Sequence, residues 1–343
     1  MKPWRDDARR GPGSPEAARA IARGYSPGPR DGRHRHGDMI HAHLEPHPHG
    51  RGTAGASTVG IVGAGAVGTA LGVAISRAGW PVRAVASRDA GRRDRFLGLV
   101  PDARAFMDPA AVLDEVELAI LAIPDDAIPS VIEPLRLYSG QALVHTSGLL
   151  GAEVLQPTLA AGSQIGAFHP LVSFTADVER SVAAIKGATI ALEGDDRLMS
   201  LLADLAEAIG GLPVRLPKGS KAAYHAAAVL ASGGLVALLD AISTLGAAAG
   251  LDERGALAVY GRLIEQTLAN ARAMGVAASL TGPITRGDSG TLEVHLATLS
   301  RLAPGVMDLY LAAARREVKI AEERRTLSPD QLERVRRALA KVG

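Results

Sequence analysis

Four residues on one stretch have the spacing of a proton-transfer site. Lys221, Tyr224, His225 and Ser232 lie at i, i+3, i+4 and i+11 of KAAYHAAAVLAS, so a helix puts all four on one face. A lysine facing a reacting carbonyl can protonate a developing alkoxide once burial lowers its pKa, with Tyr224 or His225 orienting it. An ordinary exposed lysine at a helix start gives the same pattern. His169, in AFHPLVSF (167–174), follows an apolar run. Its imidazole suits polarising a carbonyl or holding a carboxylate, and it equally suits a core histidine bonded to backbone. Ser147, in VHTSG (144–148), reads as a substrate or cofactor contact, or as the cap of a turn. Arg286 and Asp288 stand in LTGPITRGDSGTLEVHL (280–296), a loop too elaborate for mere connection. The Arg286 fork suits a substrate carboxylate. Asp288 or Ser289 caps the helix that follows. The catalytic candidates are therefore Lys221, Tyr224, His225 and His169. The substrate-binding candidates are Ser147, Ser232, Arg286 and Asp288.

Such a site needs a redox partner, and an upstream segment supplies the signature of one. TVGIVGAGAVG (58–68) is a β-branched run, three glycines at GxGxxG spacing, then an apolar helix pattern through Val67, Leu71, Ala74, Ile75 and Ala78. Gly63 permits the turn, Gly65 has no Cβ to meet a phosphate, and Gly68 lets helix and strand pack closely. The helix N-terminus, from Ala66 and Val67, offers N–H groups to the pyrophosphate. A second strand arrives on time at 82–86, and it ends in Ala86-Ser87-Arg88 without the acid that binds a ribose 2′-OH. Ser87 and Arg88, with Arg92 or Arg93, suit a 2′-phosphate, so the cofactor reads as NADP(H); an exposed basic turn is the plain alternative. Ile123 and Pro124, after a later strand, and Ser147 complete the expected cofactor contacts.

The elements that must position these groups follow from periodicity. Candidate strands are 58–62, 82–86, 118–123, 141–145, 164–168, 188–193 and 213–216, with helices between several of them, notably 66–79, 125–137 and 196–209. Near residue 217 the strand pattern stops, and the remainder reads as helices at 219–249, 252–274, 289–301, 304–324 and 328–341. This predicts an α/β fold with a Rossmann-type, mostly parallel sheet over 57–217, followed by an all-helical substrate and dimerisation domain over 218–343. Residues 1–56, rich in Arg, Pro, Gly and His, read as a disordered extension.

Composition narrows the function classes. The chain has 343 residues, enough for two folded units, and 47% apolar residues. It has no cysteine, which excludes disulfides, thiolate catalysis and Cys-ligated zinc, and fits a cytoplasmic protein. Residues 1–55 hold ten basic and six acidic residues, and the rest holds 28 basic and 30 acidic, so the globular part carries no footprint for nucleic acid. No apolar run is expected to span a membrane. Outside the first 55 residues the histidines are His145, His169, His225 and His295; their spacing matches no ligand motif, and no metal is expected.

The fingerprint, PDDAI (124–128), HTSG (145–148), FHPLVSF (168–174), KAAYHAAAVLAS (221–232) and LTGPITRGD (280–288) together resemble the bacterial Rossmann-like proteins whose C-terminal half is a domain of unknown function. The resemblance covers about 57–325. That family is similar in plan to ketopantoate reductase, pyrroline-5-carboxylate reductase and the β-hydroxyacid dehydrogenases. It implies an NADPH-dependent reductase of a small 2-oxo acid, foremost 2-dehydropantoate in pantothenate synthesis. It also implies a small carboxylate as substrate and a homodimer through the helical domain. An imine reductase of the pyrroline-5-carboxylate type and a non-catalytic NADPH-binding protein are the alternatives. One departure is Gly233, where the family commonly has Asn after the Ala-Ser of the long helix.

Overall fold

Three central strands, VGIV, LAIL and ALVH, are apolar but for the terminal His145, and every residue in them is buried. Both sides of a strand are hidden when its sheet is covered on both faces, the usual state of a mostly parallel sheet. The computed structural model describes residues 57–340; the expectation for 1–56 lies outside the described residues. In chain order the first part comprises β1 (Val59–Val62), α1 (Ala66–Arg77), β2 (Val82–Ala86), α2 (Ala90–Leu99), β3 (Arg104–Phe106), α3 (Ala110–Leu113), β4 (Leu118–Leu121), α4 (Ile128–Ile132), β5 (Ala142–His145), β6 (Gln164–Pro170), α5 (Val178–Ile185), β7 (Thr189–Glu193), α6 (Asp196–Ala208) and β8 (Leu212–Arg215). Two 3-10 segments, Asp125–Ala127 and Ala152–Thr158, follow β4 and β5.

The strands form one sheet in the order β3-β2-β1-β4-β5-β6-β7-β8. All neighbours are parallel except β6 and β7, which pair antiparallel with His169 opposite Ala191 and Ala167 opposite Glu193. One core, with Leu71, Ile75, Phe96, Phe168 and Leu202, covers one face, and another, with Val112, Leu121, Ile128 and Leu155, covers the other. The α/β architecture and the mostly parallel sheet agree with the sequence reading. Strand β3 was not expected: three residues at a sheet edge show no period to read. The expected helix 125–137 is a 3-10 turn and then only α4, because Pro134 has no N–H to continue the helical hydrogen-bond ladder.

After β8 the chain is helical: α7 (Lys221–Val229), α8 (Leu235–Ala248), α9 (Glu253–Met274), α10 (Val276–Ser279), α11 (Pro283–Arg286), α12 (Ser289–Leu302), α13 (Met307–Glu323) and α14 (Pro329–Ala340). A third core, including Leu292, Leu296, Leu311, Val318 and Val335, joins α12, α13 and α14. Ser328 and Gln331 exchange side-chain bonds with each other's backbone N–H at the start of α14, a capping box.

The expected single helix 219–249 is interrupted. Leu230–Gly234, LASGG, forms a π turn between α7 and α8. Two adjacent glycines and a serine make the α hydrogen-bond register weak there, and the wider turn changes the phase of everything after it. The whole stretch Lys221–Ala248 spans 28 residues with a mean hydropathy of 1.8 over its most apolar window. By length and composition it is long enough to cross a membrane, which corrects the expectation that no such run exists. Small residues hid it: alanines and glycines make up 13 of the 28 residues, so no long block of large apolar side chains appears.

Candidate active site

The carboxyl ends of β1, β2, β4, β5 and β6 point to one side of the sheet, the side on which open α/β sheets bind ligands. At β1 the three glycines do different things. Gly63 has φ +108, a conformation that disfavours any side chain, and a Cβ there would strike the Ala122 carbonyl. At Gly68 a Cβ would strike the Gly63 carbonyl, so the helix packs against the turn only because none exists. At Gly65 nothing lies within 4 Å of the Cβ position, which leaves the backbone open to a ligand. Gly65 also starts α1 without any side-chain cap, so the N–H groups of the first turn, at Ala66 and Val67, have no capping acceptor. Ile123 packs beside Gly63, and Pro124 leads into the 3-10 turn.

At the tip of β2 the basic residues separate by commitment. Arg93 donates to the Ser87 carbonyl, and Arg92 lies 3.7 Å from the Asp89 carboxylate. Asp89 is itself the cap of α2, accepting from Arg92 N at 3.0 Å. Arg88 is exposed, and no bond of its guanidinium is found among the described residues. Ser87 Oγ accepts only a 3.3 Å bond from Asp89 N and keeps its proton. An open Gly65, an uncapped helix start and a free Arg88 beside Ser87 fit a dinucleotide with a 2′-phosphate.

Lys221 reaches the same side of the sheet from the start of α7. Its Nζ donates to the Ser147 carbonyl at 2.6 Å, and the residue is only 3% exposed. An ammonium has three N–H donors, and only this one finds an acceptor among the described residues. Burial lowers the Lys221 pKa, opposed by the charges of Glu193, Asp125 and Glu153. His169 stands beside it, with Nδ1 3.2 Å from the Tyr224 hydroxyl and its ring edge-on to Tyr224 and to His225. Burial, and then the Lys221 and His225 charges, bring the His169 pKa down to about 4, so the ring is neutral at pH 7. Burial raises the Tyr224 pKa. His225 Nδ1 is buried and has no partner among the described residues. It lies directly over Gly148: a Cβ there would collide with His225 Nδ1 and stand 2.9 Å from His169 Nε2. Gly148 thus lets two imidazole nitrogens converge on one point.

The sequence reading placed Lys221, Tyr224, His225, His169 and Ser147 in one site, and the structure brings these five together. Ser147 does so in an unexpected way. Its hydroxyl donates to Asp125 Oδ2 at 2.7 Å and accepts from Leu149 N at 3.1 Å and Leu150 N at 2.9 Å. With both lone pairs and the proton committed, the hydroxyl has nothing left for substrate. His145 is a core histidine: Ser147 N donates to its Nδ1, its Nε2 lies 3.1 Å from the Gly151 carbonyl, and burial brings its pKa down to about 4.

Three expected residues, Ser232, Asp288 and Arg286, do not join the cluster, and neither does His295. Ser232 is exposed in the π turn and bonds back to the Ala228 carbonyl at 2.8 Å, because the change of helix register ends the shared face. Both Asp288 carboxylate oxygens are held by Thr291, through its N–H at 3.0 Å and its hydroxyl at 2.7 Å, so Asp288 is the cap of α12. Ile284 anchors the Arg286 turn in the helical core and leaves the guanidinium exposed. His295 pairs with the Tyr310 hydroxyl at 2.8 Å. Among the described residues no hydrogen bond or ring contact joins Arg286 or His295 to the Lys221 cluster. No group of three or more His, Asp or Glu suited to a metal is found among them either. At Gly233 nothing lies within 4 Å of the Cβ position, so the departure from Asn leaves open space. Asp125 is the residue the sequence reading missed.

With this geometry in place, the comparisons are informative. Residues 47–170 match the family model of the Rossmann-like domain, and residues 188–317 match a domain of unknown function, DUF2520. The second match begins just before β7, where the sheet reverses direction. No curated protein matches the sequence. Among solved structures, protein TM1727 from Thermotoga maritima is 28% identical with a TM-score of 0.60, covering 78% of this chain and 99% of that one. A Bacteroides fragilis protein described as an NADP oxidoreductase is 21% identical with a TM-score of 0.62, covering 76% and 98%. 1-Pyrroline-5-carboxylate reductase from Streptococcus pyogenes is 18% identical with a TM-score of 0.55, covering 79% and 99%. At the two lower identities the likeness is one of fold. The chain thus matches a Rossmann-like domain model followed by a DUF2520 model.

Proposed function

We propose that the protein is an NADPH-dependent reductase of a small 2-oxo acid, with 2-dehydropantoate as the preferred substrate. One observation carries the reading: a buried lysine with two unmatched N–H donors sits at the strand ends, on the side of the sheet that bears the dinucleotide fingerprint. NADPH, when bound, supplies the hydride for the carbonyl carbon. The alkoxide oxygen then takes a proton from the Lys221 ammonium, which recovers one from water. The Ser147 carbonyl holds that amine in place beforehand. His225 Nδ1 and His169 Nε2, converging over Gly148, orient the substrate's polar end. Fixed donors at the oxygen where charge develops supply much of the rate. Arg88, with Ser87, holds the 2′-phosphate.

The likeness to pyrroline-5-carboxylate reductase favours a second reading, reduction of a cyclic imine, in which Lys221 protonates nitrogen instead of oxygen. A panel of 2-oxo acids and cyclic imines with NADPH separates the two, followed by loss of reduced cofactor and by product mass. Fastest turnover of 2-dehydropantoate supports the first reading. Fastest turnover of an imine replaces it with the second. Tight NADPH binding without turnover of any of them makes the protein a binding protein.

The same reading gives the bare helices a partner. Between 221 and 279 only Lys221, Ala241, Gly246 and Ala256 are buried, while Leu230 is 72% and Val236 65% exposed. A second copy of the chain covers this apolar surface, forming a homodimer through α7, α8 and α9.

A further inference from the structure

Asp125 is the residue on which the geometry of the Lys221 site converges, and it belongs to none of the expected contacts. It opens the 3-10 turn that follows β4, with Pro124 fixing the approach. Its Oδ2 accepts the Ser147 hydroxyl proton at 2.7 Å, across 22 residues of sequence and from a neighbouring strand end. That bond fixes how the hydroxyl rotates, so its lone pairs meet the N–H groups of Leu149 and Leu150 and tie down the turn after β5. The other side of the same residue is also fixed, since Ser147 N donates to His145 Nδ1 at 3.2 Å. With N–H and side chain both held, the Ser147 carbonyl has one direction, and it points at Lys221 Nζ. Asp126, the next residue, is exposed and makes no bond among the described residues.

We infer that Asp125 is a positioning residue for Lys221, acting through Ser147. The inference rests on reading Lys221 as the proton donor. Two effects are separable. One is geometric: losing the acceptor frees the Ser147 hydroxyl and loosens the carbonyl that aims the amine. The other is electrostatic. Lys221 is faced by Glu193 on β7, Glu153 on the 3-10 segment after β5, Asp125, and the imidazoles of His145, His169 and His225. Burial pushes the amine toward its neutral form, and the Asp125 charge is one of three that oppose this. An amine that has lost its proton donates none.

Asp125→Asn and Asp125→Ala distinguish the effects, with Asp126→Asn as control. Asparagine still accepts from Ser147 but carries no charge; alanine does neither. The first readout is the Lys221 titration midpoint, followed by NMR of lysine labelled with carbon-13 at Cε and assigned with Lys221→Arg. The second is the pH profile of kcat, with KM and NADPH affinity measured alongside. Asp125→Asn is expected to lower the midpoint by about one pH unit, and to move the alkaline fall of kcat down by the same amount. Asp125→Ala is expected to lower kcat by about 10²-fold, the scale of a misplaced catalytic group, with NADPH affinity unchanged. Asp126→Asn should move none of these. A Lys221 Cε resonance and midpoint that are both unmoved in Asp125→Ala, which loses the bond and the charge together, overturn the inference whatever the activity. A midpoint that moves in a protein that turns over no substrate supports it, and then the reductase reading is what fails.

Discussion

The strand-end site and the helices that follow it solve burial in opposite ways. At the strand ends polar groups are buried and nearly all matched: Ser147 is saturated, His145 uses both nitrogens, and Lys221 is anchored to a carbonyl. In α7, α8 and α9 apolar groups are exposed and unmatched, with Leu230, Val236 and Leu263 each more than half exposed. The first region is complete within one chain except where a ligand would go. The second is complete only when something else covers it. Lys221 is the hinge of the comparison, buried at one end of a helical stretch that is largely exposed from the π turn onward. In the proposed dimer, the proposed proton donor is held by the sheet but carried on a helix that the second copy covers, which would couple chemistry to assembly.

The sharpest way to break that comparison is to remove the anchor. Lys221→Ala should lower kcat by roughly 10²- to 10⁴-fold, the usual worth of a positioned acid, while NADPH affinity barely changes. In the parent protein kcat should fall as pH rises through the lowered Lys221 pKa, because only the ammonium donates. Steady-state kinetics across pH with a cofactor titration checks both. Full kcat in Lys221→Ala moves the donor to His169 or His225.

The bare region is tested by charge. Leu230→Glu with Val236→Glu puts two carboxylates on the face assigned to the second copy. Each buried apolar side chain contributes roughly 1.5–3 kcal/mol, and a two-fold interface presents each twice. The dimer dissociation constant should rise by about 10³-fold or more, as read by sedimentation equilibrium. If the parent protein is monomeric at all concentrations, the helices have another partner. Partition into lipid vesicles would then point to a membrane.

The strand-end region should also be where acid acts first. His145 and His169 are held neutral with pKa values of about 4, against 6.5 for an unhindered imidazole. The unfolded chain therefore binds more protons than the folded one as pH falls from about 6.5 to 4, and stability is lost across that window. The loss is on the order of 3 kcal/mol for each histidine. Denaturant midpoints measured across the window should show the slope, and His145→Gln should flatten it even though it lowers stability overall. An unchanged slope in that variant means that other groups carry the acid sensitivity.

The contrast between the regions also explains what could be read in advance. The glycine fingerprint was legible because its three roles are local, each set by a turn or a helix within a few residues. Lys221, Tyr224 and His225 were legible because helical spacing is local too. Asp125 was not, since its importance comes from a bond to another strand end, and nothing near it in sequence names Ser147. PDDAI directly after a strand was the available signal. Ser232 failed because a constant period was assumed through LASGG, whose paired glycines mark the change of register. Arg286 and Asp288 came from a loop whose composition matches a tight turn and a cap as well as a site. β7 was read as a strand, but its reversal depends on pairing that composition does not specify.

Cofactor choice gives a smaller effect on the complete side of the comparison. Arg88→Ala should cost NADPH about 1.5–3 kcal/mol of binding, the value of one charge-assisted contact, and leave NADH unchanged. Isothermal titration with both cofactors reads the ratio directly, and an unaltered ratio would remove the 2′-phosphate assignment.

The smallest effect is expected at Ser232, and it locates the boundary between the two regions. Before the π turn the helix face that carries Lys221, Tyr224 and His225 is buried or half-buried. Within the turn Ser232 is exposed, and its hydroxyl is bonded to the Ala228 carbonyl four residues back. Such a back-bond contributes little to stability and tends to bend a helix. Ser232→Ala should therefore change stability by less than about 0.5 kcal/mol, as for surface positions in general, and leave kcat and KM within about twofold. Thermal melts and steady-state kinetics check the two halves of the statement. A large rise in KM at full stability would mean that the substrate reaches past the π turn. The site would then extend onto the bare helix, and the two regions could no longer be separated there.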